Sequence, residues 1–321
     1  MSILYLVPEG LIVQLSILVL GLGLDLVIGE PPEAIHPTVL IGRTTEWLRE
    51  KVGRSKSRCR LFGSILALIV LLSATGSVFI LLEVARRLLG QLGYIILGGL
   101  ILKTSFAIKS MELHTKPIKG ALEGKDLVLA REAVGKIVRR NTKQLDDGLC
   151  ASATIESVAE GTVDGIISPL FYFFLLGVPG AIAFRAINTL DSTIGYKDAV
   201  YSQIGWFSAK LDSLANFVPA RLTALIMVMA AAILHKDWKS SLSTMRREHD
   251  KTESLNAGYP MSAMAGALGV RLEKVNSYQL GEGLNTPSHK DITPAIGIMR
   301  LTTSIFLALT LTISTVIMQL H

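Results

Sequence analysis

The chain has 321 residues, half of them hydrophobic, with a mean hydropathy of +0.47 and only 18% charged side chains. That composition excludes an ordinary soluble domain, because several apolar runs approach the roughly 20 residues that cross a bilayer. The net charge of +6 comes with no DNA- or RNA-binding motif, so no nucleic-acid partner is expected, and the basic residues read as topology signals and contacts to anionic membrane lipid.

The opening MSILYLVPEG has no basic stretch, and no small-residue cleavage site follows, so the first apolar run is expected to remain as a span. Six runs are candidates: 10–28, 61–82, 92–108, 165–187, 217–234 and 296–318. Lys103 interrupts the third, and Pro169 with Gly-Val-Pro-Gly at 177–180 interrupts the fourth. The expected fold is an all-α polytopic integral membrane protein, a single domain over 1–321, with about five to six apolar helices plus amphipathic cytosolic helices. Cys59 and Cys150 stand apart from any Cys or His cluster and read as ordinary thiols.

The first connector, LDLVIGEPPEAIHPTVLIG at 24–42, sets Asp25, Glu30 and His36 in a proline-framed, non-helical stretch. Residues 121–148 alternate charged and apolar residues at helical spacing and predict one amphipathic helix. In ATIESVAEGTVDG, Glu156, Glu160 and Asp164 follow each other at intervals of four, which puts them on one helical face. Like charges so placed repel by a few tenths of a kcal/mol per pair, so a cation, a metal ion or a positively charged substrate should offset them. Paired carboxylates suit Mg²⁺ that also holds phosphate; the ordinary alternative is a solvated face or pairing with Arg139 and Arg140.

NTLDSTIGY at 188–196 offers Asn188, Asp191, Ser192, Thr193 and Tyr196, with a capping turn as its ordinary alternative. KLDSLANFVPARLTAL places Asp212, Asn216 and Arg221 at the entrance of the fifth run. An arginine inside an apolar segment is costly unless paired, so it marks a functional site unless it snorkels to the interface. The polar stretch 235–256 leads into AGYPMSAMAGALGVRL, expected to pack on the membrane or on other helices. No nucleotide-binding, metalloprotease or serine-hydrolase motif is present.

Lys and Arg number 7 in 29–60, 2 in 83–90, 9 in 109–164, 2 in 188–216 and 8 in 235–295, an alternation that predicts outward-facing termini. It also sets 188–216 on the side opposite Glu156. Two arrangements reconcile them: a re-entrant hairpin broken at 177–180, or a water-filled cavity between helices, the second being preferred.

ATIESVAEGTVDGIISPLFYFFLLGVPGAIAFRAINTLDSTIGY with GWFSAKLDSLANFVPARLTA resembles the signature region of the adenosylcobinamide-phosphate synthase family, the membrane amide-bond synthases of cobalamin biosynthesis. DLVIGEPPEAIHPTVLIGR, RRNTKQLD and LNAGYPMSAMAGALGVRL extend the likeness over about 24–283, with departures at Glu30, Gly161, Ser213 and Leu255. The resemblance implies ATP-dependent joining of adenosylcobyric acid to aminopropanol phosphate or a related amino-alcohol phosphate, with Mg²⁺. It implies catalytic roles for Glu156, Glu160, Asp164, Asp191 and Asp212, with Glu160 and Asp164 as candidate Mg²⁺ ligands. Substrate contacts would come from Asp25, His36, Arg140, Asn141, Asn188, Tyr196, Asn216 and Arg221. It further implies a multi-pass cell-membrane protein with its active site open to the cytoplasm, and other corrinoid-assembly enzymes as partners. The rival readings are an ion or corrinoid transporter and a non-catalytic scaffold.

Overall fold

The computed structural model describes residues 8–31, 36–51, 60–195 and 203–319. They fall into two compact units, Met1–Ala107 with Ser168–Ala215 and Thr310–His321, and Ile108–Ile167 with Asn216–Leu309. Nearly every element is helical, as the composition predicts, and four helical stretches are long and apolar enough to cross a membrane, or five if Trp206–Ala215 and Phe217–Ile233 act as one broken span.

In the first unit, α1 (Pro8–Val27) packs on the C-terminal part of α3 (Arg60–Lys103) through small residues. A methyl group on Gly99 would stand 2.5 Å from the Leu20 side chain, and one on Gly98 2.9 Å from Ile17. Such stripes let helices approach where lipid supplies no hydrophobic drive for association. A core of Ile41, Leu66, Val70, Ala186, Leu190 and Ile194 joins α2 (Pro37–Lys51), α3 and α7 (Ser168–Ile194). Phe184 and Ile187 of α7 pack with Ala215 of α8 (Trp206–Ala215).

Two of these helical stretches double back. Gly90 in α3 has φ 68° and ψ −164°, and Gly177 in α7 has φ 69° and ψ −163°. Residues bearing a Cβ scarcely enter this region. Past Gly90, a methyl on Gly93 would come within 3.2 Å of the Ala85 carbonyl oxygen. Past Gly177, one on Gly180 would come within 2.4 Å of the Tyr172 carbonyl oxygen, and the Tyr172 and Phe184 rings stack at 5.5 Å. In a straight helix, residues eight apart are separated by about 12 Å. The chain therefore reverses at both glycines. The second and third predicted runs become the arms 60–89 and 91–103, of which the latter, about 20 Å long, is shorter than a bilayer core. The reversal at Gly177 is the backbone geometry that the hairpin alternative requires.

In the second unit, the single amphipathic helix expected over 121–148 is interrupted. α4 (Ile108–Glu123) stops at Gly124, Lys125 takes φ 58°, and Asp126 caps α5 (Leu127–Val134) by accepting from Leu129 N. Asp146 likewise caps α6 (Asp147–Thr162). α6 runs into a π turn, Val163–Ile167. α9 (Phe217–Ile233), α10 (Trp238–Glu248) and α11 (Gly258–Leu268) follow, with α11 buried along nearly its whole length. Its GYPMSAMAGAL sequence explains this: a methyl on Gly266 would lie 2.4 Å from the Ser240 carbonyl oxygen, so α10 and α11 touch backbone to backbone. An antiparallel hairpin, β1 (Leu272–Lys274) and β2 (Tyr278–Leu280), which helical periodicity did not predict, precedes α12 (His289–Gln319). Arg300 of α12 pairs with Glu112 of α4.

Because nothing lies within 4 Å of a methyl group added at Gly90, Gly90→Ala isolates backbone strain from clash. It should destabilise the detergent-solubilised protein by about 1–3 kcal/mol, read as a lower thermal unfolding midpoint. An unchanged midpoint would show that the reversal does not depend on glycine.

Candidate functional site

The residues singled out in the sequence form polar clusters in each unit. In the first, Asp25 ends α1 and Lys103 ends α3, and their side chains meet at 3.1 Å with Asp25 fully buried and Lys103 5% exposed. Lys103, read from sequence as an interruption, is the cation that Asp25 needs. It also lies 3.5 Å from Glu30, which meets His36 at 2.9 Å. The Thr38 backbone N–H donates to His36 Nδ1 (3.3 Å), with the Thr38 hydroxyl 2.6 Å from the same atom. Nδ1 therefore bears no proton, and Nε2–H donates to Glu30. Burial pushes the Glu30 carboxyl up, but His36 and Lys103 outweigh it and hold it below the ordinary 4.5. Both His36 nitrogens are thus engaged within the connector, which weighs against the expected role as base or phosphate ligand. Asp25 is likewise held as a framework ion rather than open to substrate.

Asn188 and Asp191 occupy the last two turns of α7, and Asn188 Nδ2 donates to Asp212 of α8 at 3.3 Å. NTLDS is thus helical, not a capping turn. A methyl group on Gly42 of α2 would stand 3.8 Å from Thr193 and 3.9 Å from Thr189, an ordinary contact. Tyr196 and Cys59 lie outside the described residues; Cys150 is a buried free thiol.

In the second unit, Glu156 is 4% exposed and well bound. Arg140 Nη2 donates to its Oε2 at 2.6 Å, the Tyr278 hydroxyl to the same oxygen at 2.8 Å, and the Ser152 hydroxyl to Oε1 at 2.7 Å. Arg140 Nη1 also donates to the Glu273 carbonyl (3.1 Å), and Glu273 N–H donates to Ser152 Oγ (2.7 Å). These bonds tie α6, the 135–146 connection and the β-hairpin together. Burial, with Glu156 and then Glu160 nearby, pushes the Tyr278 phenol well above its ordinary value. Glu160 is exposed and Asp164 partly so within the π turn. The three carboxylates that share a face in sequence are therefore not equivalent: Glu156 belongs to the framework, paired with Arg140 as the ordinary alternative held. Asn141 is exposed and accepts from Lys143 N in a local turn. Tyr278 and the hairpin were not anticipated, because only folding brings residues about 120 positions away onto Glu156; Ser152, one helical turn before Glu156 on the same face, was legible in the spacing and was missed.

Among the described residues no three His, Cys, Asp or Glu side chains gather as a metal-holding group. Glu160 and Asp164 nevertheless fit Mg²⁺ chemically, since that ion commonly takes one or two carboxylates and completes its shell with water and substrate phosphate. Asn216, 2% exposed, stands at the start of α9 without a side-chain capping bond. Arg221, one turn on, donates through Nη1 to the Phe217 carbonyl (2.7 Å) and to Asn256 Oδ1 (3.3 Å). Its guanidinium lies 3.5 Å from the Phe217 ring centre and 4.3 Å from that of Tyr259. It is held by rings and amide and stays partly exposed.

The CobD/Cbib protein family matches residues 18–307. The chain belongs to the CobD/Cbib family. It is 41% identical over 272 residues to the "Probable cobalamin biosynthesis protein CobD" of Methanocaldococcus jannaschii, covering 83% of this chain and 88% of that one. The protein of the same name from Methanothermobacter thermautotrophicus is 36% identical over 293 residues, 91% and 95% of the two chains. The "Cobalamin biosynthesis protein CobD" of Pelobacter propionicus is 38% identical over 263 residues, 82% and 81% of the two. No solved structure matches this CobD/Cbib chain.

Glu248, at the end of α10, is fully buried and accepts from Gly281 N (2.7 Å) and from Arg247 Nη2 (2.5 Å), with Lys251 at 3.5 Å. Burial raises its pKa, but Arg247, the Gly281 N–H and Lys251 together hold it below 4.5. A depressed carboxyl stabilises the fold above its unfolded pKa and loses that contribution as pH falls through the native value. Glu248→Gln should cost about 2 kcal/mol at neutral pH. It should also flatten the decline of the unfolding midpoint between about pH 5 and 3. Parallel wild-type and variant profiles would contradict the assignment.

Lys103→Met, which strands the Asp25 carboxylate, should destabilise the protein by about 3–5 kcal/mol. The double variant Asp25→Asn/Lys103→Met should recover most of the loss in the same thermal measurement. Additive losses would show that the two side chains are not coupled.

Proposed function

We propose that this chain is the synthase that joins the propionate carboxyl of adenosylcobyric acid to the amine of aminopropanol phosphate, or a related amino-alcohol phosphate, at the expense of ATP. Its role in cobalamin biosynthesis follows from membership of the CobD/Cbib family and from the names that its relatives carry. The observation that carries the reading is the match over 18–307, which takes in every polar cluster described above. No observation favours the transporter or the scaffold.

A carboxylate is a poor electrophile, so it must be activated by phosphoryl transfer before an amine can displace the activating group. The amine must also lose a proton before it attacks. The residues divide these tasks by environment. Glu156, saturated by Arg140, Tyr278 and Ser152, holds the α6 framework in place. Glu160 and Asp164 retain solvent access and are the groups that would hold Mg²⁺. Bound there, the ion would neutralise charge on the nucleotide phosphates. In the first unit Asn188 orients Asp212, and the resemblance to the synthases gives Asp191 and Asp212 catalytic roles. The nucleotide and the active site are taken to lie on the cytoplasmic side.

Protein purified in detergent with adenosylcobyric acid, aminopropanol phosphate, ATP and Mg²⁺ should yield the amide, detected by mass spectrometry. Glu160→Gln should lower kcat by about 100-fold or more without shifting the unfolding midpoint. Glu156→Gln should instead lower the midpoint, with activity falling in step. No amide from a folded wild type that binds the corrinoid would sink the synthase and leave transport as the reading to pursue.

A further inference from the structure

Arg221 is the fifth residue of the apolar helix α9, and among the described residues no carboxylate pairs with it. A charge so placed is costly, and here carbonyl, amide and ring contacts meet it only in part. The Phe217 and Tyr259 rings hold the guanidinium, so its orientation is set before any ligand arrives. Tyr259 carries a second basic group: the His249 ring lies 4.2 Å from it, centre to centre. His249 Nδ1 donates to the Met245 carbonyl at 3.0 Å, which makes Nε2 the acceptor in the neutral ring and a donor on protonation. Nε2 has no hydrogen-bond partner among the described residues. These groups come from α9, the end of α10 and the start of α11, so the cluster exists only in the folded unit.

We infer that Arg221, Asn256, Tyr259 and His249 form a binding site for a phosphate monoester dianion, filled in the proposed reaction by the phosphate of the amino-alcohol substrate. A guanidinium presents paired N–H groups that match two phosphate oxygens, and an uncompensated cation in a partly apolar setting strengthens that contact. The cluster supplies no carboxylate to Arg221 for holding a metal, which separates it from a Mg²⁺–nucleotide site and suits a single phosphate bound directly. Glu160 and Asp164 keep the metal role. The identity of the ligand rests on the synthase reading; the site itself rests on the cluster. α9 is half of a candidate broken span, so a lipid phosphate has the same chemistry and must be distinguished by experiment.

Isothermal titration of the full chain in detergent separates these cases, using aminopropanol phosphate, aminopropanol, inorganic phosphate and a short-chain phosphatidic acid. Wild type should bind aminopropanol phosphate and, more weakly, inorganic phosphate, but not aminopropanol. Arg221→Gln should weaken aminopropanol phosphate roughly 10- to 100-fold, Arg221→Lys less, and His249→Gln severalfold. In turnover, KM for aminopropanol phosphate should rise by the same order while KM for the corrinoid stays unchanged. His249→Gln leaves the α9 charge in place, so it tests the site even where Arg221→Gln fails to fold. Unchanged affinity in folded Arg221→Gln and in His249→Gln overturns the site, as does Arg221-dependent binding confined to phosphatidic acid. Arg221-dependent binding of aminopropanol phosphate without amide formation by the wild type would retain the site and overturn the synthase. Amide formation with an unaltered KM in Arg221→Gln would do the reverse.

Discussion

Ionised side chains in an apolar interior set the terms for the rest of this molecule. Taking a carboxylate or an ammonium group out of water costs several kcal/mol, so each must find an opposite charge or several donors. Asp25 finds Lys103, Glu156 finds Arg140 with two hydroxyls, and Glu248 finds Arg247 with a backbone N–H. Each of these contacts joins elements distant in sequence or fixes a helix to a neighbouring loop. The buried charges therefore specify which segments meet, while the abundant aliphatic side chains supply attraction with little preference among partners.

The second constraint is backbone conformation. At Gly90 and Gly177 the chain takes nearly identical dihedral angles that a side chain would forbid, and at both it reverses within an apolar stretch. Gly177 is buried within the protein, whereas Gly90 is exposed. Of the arms at Gly90 only 91–103 is short, and the polar residues of NTLDS come at the end of the arm that follows Gly177. The π turn at Val163–Ile167 is a milder irregularity, but it falls on Asp164. Such turns recur at functional positions because they re-aim side chains without ending the helix.

Within the acidic helix, the division of labour follows from environment rather than residue type. Glu156 is sealed by its donors, whereas Glu160, one turn away, keeps access to water. Arg140 and Arg221 differ in the same way: one is committed to a carboxylate and a carbonyl, the other is clamped by rings with no acid beside it among the described residues. Identical residue types thus stand in different environments, which show only when their neighbours are known.

The sequence by itself determined a helical membrane protein, the family, the places of the polar motifs and the break near 177–180. Those features are local or compositional: hydropathy sums over a window, and Gly and Pro act on their own peptide units. It also placed Arg221 as a charge needing compensation. Tertiary structure decided that Lys103 compensates Asp25, and it added Tyr278 to the Arg140 that the sequence already offered Glu156. Lys103 read as a blemish in a span until Asp25 stood beside it, and Tyr278 carried no sign of its bond to Glu156. The even spacing of Glu156, Glu160 and Asp164 concealed their different fates, because helical periodicity tells which face a residue occupies and not what packs against that face. Lys103 and Tyr278 come from segments scores of residues away, and only the folded chain brings them within reach of Asp25 and Glu156.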